Sequence, residues 1–281
     1  MSNNDSTATL KVVNYELLDE LRSFWFEHIE DEERIVLPDM PSMKRFFAGG
    51  EEFDTACTKK FSPALEEIKA QGITSADTLL KLLPPRKPLD WLAWLLLLDQ
   101  IPRNCYRNEV AGQVFTFFDP LALGIALKAL DERIFFNSPT LRWNFIYRIW
   151  QNLPLVHSER IEIHDRIDPE ILADLRADVE ALLSNSSDRD DGSEERKKAA
   201  VVLQKRTEEA NFIVKSQAES EELHVAILRK FGRYPHRNGP LGRTMTPEED
   251  AYLKEGGLTF APPKSDEEMK KWEGEKDASN Q

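Results

Sequence analysis

Ser138-Pro139-Thr140-Leu141-Arg142-Trp143-Asn144-Phe145-Ile146-Tyr147-Arg148-Ile149-Trp150-Gln151-Asn152-Leu153 places an apolar residue at every fourth position, Leu141, Phe145, Ile149 and Leu153. That spacing lines one face of an α-helix, with Trp143, Tyr147 and Trp150 adding aromatic bulk. The stretch also begins as helices begin. A serine oxygen can accept from an unpaired amide of the first turn, and proline at the first helical position gives up a hydrogen bond that no helix makes there. Four more capping residues precede proline: Ser62-Pro63, Asp119-Pro120, Asp168-Pro169 and Thr246-Pro247. Each reads as a helix start, and Glu249, three residues after Thr246, has the spacing of a capping box.

Working outward, the same period recurs. Leu17, Leu21, Phe24, Trp25 and Ile29 form an amphipathic stripe; Leu65 and Ile68 follow Pro63 until Gly72; Leu121, Ile125 and Leu127 to Leu130 follow Pro120; Ile171, Leu175, Val179 and Leu182 follow Pro169. Alternating period-two runs bounded by hairpin turns are missing from the sequence. The chain therefore reads as all-α, an irregular array of helix pairs or a bundle, with roughly nine to eleven helices. Residues 10–263 form one helical domain with a flexible linker near 184–194, between a disordered start at 1–9 and a disordered charged tail at 264–281.

Composition narrows the function classes. The 281 residues carry 37 basic and 50 acidic side chains, a formal net charge of -13, which argues against general nucleic-acid binding. The longest apolar run, Trp91 to Leu98, is far short of the roughly 20 residues that cross a bilayer, so no membrane partner is expected. Two cysteines, Cys57 and Cys105, make neither a disulfide framework nor a zinc motif, and no export signal opens the chain. A cytoplasmic setting follows as the expectation.

Against this acidic background, Leu223 to Pro247 holds no acidic residue but contains Arg229, Lys230, Arg233, Arg237 and Arg243, with His224 and His236. Such a stretch needs an anionic partner: a ligand, a carboxylate elsewhere in the chain, or the carbonyl end of a helix. Gly232, Gly239, Gly242, Pro235 and Pro240 shape it as a loop that can aim amides and guanidinium groups at an anion, or tie helix ends together. A second concentration is Asp99-Gln100-Ile101-Pro102-Arg103-Asn104-Cys105-Tyr106-Arg107, where Pro102 should end or kink the preceding helix near Gln100. Arg103 and Arg107 make a carboxylate or phosphate clamp there, or Asp99 and Arg103 simply join two helices. The third is Pro154-Leu155-Val156-His157-Ser158-Glu159, read as a helix start with His157 in its first turn. His157 and Glu159 have the spacing for a base and its orienter, or for metal ligands with His224 or His236, though a lone His-x-Glu names neither.

These readings assign His157, Glu159 and His236 to proton transfer. Asp99, Arg103, Asn104, Arg107, His224, Arg233, Arg237, Asn238 and Arg243 are assigned to binding a small acidic molecule. No metal site is assigned and no cofactor is indicated. A peptide adaptor that takes a carboxylate is the alternative, and oligomeric state is not legible.

Taken in order, Leu97-Leu98-Asp99-Gln100-Ile101-Pro102-Arg103-Asn104, Asp119-Pro120-Leu121-Ala122, Leu153-Pro154-Leu155 with His157-Ser158-Glu159, and Phe231-Gly232-Arg233-Tyr234-Pro235-His236-Arg237-Asn238 with Leu241-Gly242-Arg243 resemble the bacterial and fungal family catalogued as domain of unknown function 924. Phe24-Trp25-Phe26, Phe53-Asp54 and Thr246-Pro247-Glu248-Glu249 with Tyr252-Leu253 extend the resemblance over about residues 15 to 260. It implies an all-helical, tetratricopeptide-like architecture and brings no activity or catalytic residues. The chain departs from the pattern at Ile35 to Gly50, near Ser184, and in its tail.

Overall fold

The computed structural model describes residues 9–260, so the expected disordered tail and nearly all of the N-terminal segment lie outside the described residues. No strand occurs among the described residues, and the all-α expectation holds. The first helices are α1 (Tyr15–Phe26), α2 (Glu32–Val36), α3 (Met40–Ala48), α4 (Gly50–Ala70), α5 (Ala76–Leu82) and α6 (Pro88–Leu95). From α6 the backbone passes through a π turn at Leu96–Gln100 straight into α7 (Ile101–Cys105). This joined helix is the axis of the molecule. Every residue from Trp91 to Leu98 is at most 8% exposed, because α1, α4, α8 and α11 pack around it. A helix enclosed on all sides needs no polar face, which explains the uninterrupted apolar run.

A 3₁₀ turn (Asn108–Ala111) and a second π turn (Val114–Phe118) lead into α8 (Asp119–Asp131), followed by α9 (Ile134–Asn137), α10 (Pro139–Arg142) and α11 (Phe145–Val156). The continuous stretch Asn108–Asp131 contains an 18-residue window of mean hydropathy 1.6 and is long and apolar enough, by length and composition, to cross a membrane. Judging spans by the longest unbroken apolar run overlooked it. Its Leu121, Ala122, Ile125, Ala126, Ala129 and Leu130 are spent on the core. Next, α12 (Ile161–Ile167) runs through a third π turn (Asp168–Leu172) into α13 (Ala173–Leu183), and α14 (Glu194–Lys205), α15 (Thr207–Phe231) and α16 (Pro247–Lys254) complete the chain.

Two of the five proline starts are helix starts. Ser138 accepts from the Leu141 amide, and Thr246 and Glu249 make the reciprocal capping box. The others lie within helical backbone. Pro63 sits inside α4, whose face Phe53, Cys57, Phe61, Ala64, Leu65 and Ile68 is buried on both sides of it, and that burial outweighs the roughly 3 kcal/mol of an interior proline. At the π turns the amides of Ile101, Asp119 and Ala173 bond five residues back, to Leu96, Val114 and Asp168. The widened turn lets helical backbone accommodate Pro102, Pro120 and Pro169, so of the two outcomes expected at Pro102 the helix is distorted up to Gln100 and does not end there.

The connection from Ser184 to Ser193, expected as a flexible linker, lies against the helices. Arg189 donates to Asp174 and Asp178, Trp143 Nε1 donates to Asp191 at 2.6 Å, and Arg196 reaches the Ser186 carbonyl at 2.7 Å. Residues 35–50 likewise join the core through Val36, Leu37, Met43 and Phe46.

Candidate functional site

Two of the three π turns deliver carboxylates to one point. Asp99 lies within the first, Asp119 directly follows the second, and both receive the Arg103 guanidinium, at 3.2 and 2.7 Å. Asp99 is 1% exposed, and its Oδ2 also accepts from Gln100. Its Oδ1 lies 2.7 Å from His157 Nδ1. Burial alone would raise the Asp99 pKa, but His157 and Arg103 hold it well below the carboxylate range. Burial and Arg103 together push His157 below its ordinary value, so at neutral pH the imidazole is neutral; its Nδ1 lies 2.7 Å from both the acceptor Asp99 Oδ1 and the donor Arg103 Nη2. Among the described residues its Nε2 has no hydrogen-bond partner, and 17% of the side chain remains exposed, with 22% of Arg103.

His157 does not open a helix. Pro154 lies inside α11, and His157 caps the C-terminal end, its amide bonded to Leu153. The buried Leu155 and Val156 carry the helix past the proline. The free carbonyl of His157 accepts from Arg237 at 2.9 Å, a cation at a helix C-terminus. Arg237 is 6% exposed, lies over the rings of Phe115 and Tyr234 at 4.6 and 4.7 Å, and approaches Asp119 at 3.7 Å. Its Nε, like Arg103 Nε and His236 Nδ1, is buried without a hydrogen-bond partner.

Tyr234 links this junction to the remaining histidines. Its hydroxyl donates to the Val156 carbonyl at 2.7 Å and lies 3.5 Å from His164 Nε2. Both nitrogens of His164 face acceptors, Glu221 at 2.8 Å and the Ser158 carbonyl at 2.9 Å, which only an imidazolium satisfies. Burial would lower its pKa; Glu221 raises it above the ordinary value. His224 and His236 face the opposite way. Burial, with Arg237 nearby, pushes each down to about 3. His224 donates from Nδ1 to the Ser220 carbonyl at 2.7 Å, so Nδ1 carries the proton, and its ring stacks on Phe260 at 3.6 Å.

The structure thus brings together Asp99, Arg103, His157 and Arg237, with His224 and His236 each reached through Tyr234. The other expected site residues are committed elsewhere. Arg107 makes two bonds to Asp54 at 2.8 and 2.6 Å, and Asn104 joins it to the Gln100 carbonyl. Arg233 grips Glu249 at 2.6 and 2.8 Å, an interaction that draws Glu249 down to about 2, and Asn238 donates to the same carboxylate. Arg243 holds both oxygens of Glu159, which also accepts from the Tyr234 amide. Glu159 therefore anchors the basic loop and leaves no oxygen for proton transfer at His157. Much of the positive charge of the loop is answered by carboxylates from other segments.

Asp119, His164, Glu221 and Phe115 were missed. Asp119 was visible only as a cap before proline, and Glu221 is one of several acidic residues around it in α15. No group of three His, Cys, Asp or Glu side chains among the described residues is placed to hold a metal ion. A surface hollow of about 490 Å³ between α13 and α15, lined by Val179, Leu183, Asn211 and Val214 among others, contains none of the clustered groups. The loop itself is closely seated: a Cβ on Gly112, just before the second π turn, would lie 2.5 Å from the Pro240 carbonyl oxygen. Gly112→Ala is expected to destabilise the fold by about 1–3 kcal/mol as the loop is pushed from Phe115. A urea unfolding midpoint equal to that of the parent would contradict this seating.

A family model described as bacterial protein of unknown function (DUF924) matches residues 21–257. The chain is also similar to the structure of a protein of unknown function from Agrobacterium tumefaciens, with a TM-score of 0.52 and 24% identity over 86% of this chain and 99% of that one. That likeness concerns the fold alone. No curated protein matches.

Proposed function

The chain belongs to the bacterial family of unknown function DUF924, and from that premise, which carries no chemistry, we propose that it binds a small carboxylate- or phosphate-bearing molecule where Arg103, His157 and Arg237 meet. His157 is the group that takes or gives the proton. The observation carrying this reading is the engagement of His157 at one ring nitrogen: the buried Asp99 carboxylate and the Arg103 guanidinium both lie 2.7 Å from Nδ1, which leaves Nε2 unblocked beside a cation. Asp119 shares Arg103 with Asp99, and an arriving anion would compete with these two carboxylates for the guanidinium. His236, partly buried and neutral, sits on the Arg237 side as a further polar wall. Glu159 and Arg243 hold the loop that supplies Arg237.

The adaptor reading is less well supported. Its natural seat, the hollow between α13 and α15, is walled by two helices and the start of one connection, whereas a peptide groove in a helical array draws on many.

Titration of isotope-labelled protein with inorganic phosphate and with succinate tests the proposal. Saturable shifts are expected at the His157 ring nitrogens and the Arg103 and Arg237 guanidinium resonances, and His157→Gln is expected to weaken binding about tenfold or more. Shifts that grow linearly with salt, or that saturate only away from this junction, would remove the reading.

A further inference from the structure

The interior face of α11 carries Arg148, Gln151 and Asn152, all at most 4% exposed. Arg148 spends one nitrogen on Asp178, Nη1 to Oδ2 at 2.7 Å, while Nε and Nη2 are buried with no hydrogen-bond partner. Beside it is a small cavity between α11, the third π turn, α13 and α15, walled by Ile149, Leu175 and Ile213 among other apolar side chains. Its polar lining residues are Arg148 and Gln217. Gln217 Oε1 already accepts from Asn152 at 3.3 Å, which leaves its amide N–H groups to donate.

One buried carboxylate answers most of the cations around this point. Arg142, Arg148 and Arg189 all converge on Asp178, and Arg133 and Arg189 on Asp174. Asp191, bonded to Trp143, adds a third carboxylate near Arg142, and Arg196 is matched by Asp190. Three guanidinium groups thus share the fully buried Asp178, and two nitrogens of Arg148 are left without a partner. We propose that the cavity is a binding site for one monatomic anion of chloride size, held by Arg148 and Gln217. The space admits a single water-sized particle. A water needs acceptors as well as donors, whereas the lining offers the amide of Gln217 and a guanidinium with two unpartnered nitrogens, the complement of an anion. The site shares no residue with the His157 junction, so the two proposals stand or fall separately.

The test is anomalous diffraction from crystals of the full chain in sodium bromide, with thermal unfolding in bromide and in gluconate at equal ionic strength. A bromide peak is expected in the cavity beside Arg148, with Tm higher in bromide by about 2–4 °C. Gln217→Glu places a carboxylate next to Arg148. It is expected to abolish the peak and the bromide dependence while leaving the protein folded in gluconate. A cavity holding only water density in the parent protein, or a bromide dependence that Gln217→Glu leaves unchanged, overturns the assignment.

Discussion

Asp178→Asn is expected to lower folding stability by about 3–5 kcal/mol, a large part of the roughly 5–15 kcal/mol that holds a domain folded. Asp178 is fully buried and accepts from Arg142 at 2.6 Å, Arg148 at 2.7 Å and Arg189 at 2.5 Å, so one carboxylate joins α10, α11 and the 184–193 connection to α13. Burial alone would raise its pKa; the three arginines hold it below the carboxylate range. Removing its charge strands Arg148, which is 4% exposed and has no second carboxylate bonded to it. Adding Arg148→Met should restore part of the loss, because it removes the stranded cation and keeps the packing of its aliphatic stem. The check is urea unfolding of the single and double variants. A single-variant loss below about 1 kcal/mol would mean that water compensates Arg148.

The second large effect is acid lability that sets in well above the carboxylate range. His157, His224 and His236 all have folded pKa values below that of a free histidine. The unfolded chain therefore binds more protons than the folded one as the pH falls below about 6.5, and stability drops from there downward. With His224 and His236 pushed to about 3, the loss by pH 4 is on the order of 2–4 kcal/mol for each. His164 works in the other sense. Its raised pKa contributes stability that is fully present below about 6.5 and fades as the pH rises through its folded value. A second decline follows below about pH 4, where the unfolded chain protonates Asp99, Asp178 and Glu249 while their depressed folded values keep them charged in the native protein. Urea midpoints at pH 8, 6.5, 5 and 4 should trace this profile, and His236→Gln should flatten the segment between 6.5 and 4. Equal midpoints at pH 6.5 and 5 would contradict it.

Fold class was legible because helical period and capping chemistry are local. Leu141, Phe145, Ile149 and Leu153 fall on one helical stripe, and Thr246 with Glu249 makes its cap from residues three apart. Helix boundaries at Pro63, Pro102, Pro120 and Pro169 were not legible, since continuation through a proline depends on tertiary burial and on π turns that leave no composition signal. The candidate site was half legible. Arginines and histidines announce themselves in an acidic chain, which brought Arg103, His157 and Arg237 forward. Which carboxylate answers which arginine is a long-range matter: Asp54 for Arg107, Glu159 for Arg243 and Asp119 for Arg237 lie 53, 84 and 118 positions away. His164 looked featureless for the same reason, its partner Glu221 being 57 residues distant.

The π turns have a further meaning for how such a chain changes over time. Each holds one residue more than a regular helix would need, and in a regular helix one residue corresponds to about 100° of rotation. The turn at Leu96–Gln100 therefore sets the rotational phase between the buried helix before it and Arg103 after it, and the turn at Val114–Phe118 does the same for α8 behind Asp119. Loss of a single residue from either turn would leave a sound helix with the far half dialled to a new azimuth, and Asp99 and Asp119 would no longer converge on one guanidinium. The polar junction is thus encoded by residue count within two helices as much as by residue identity.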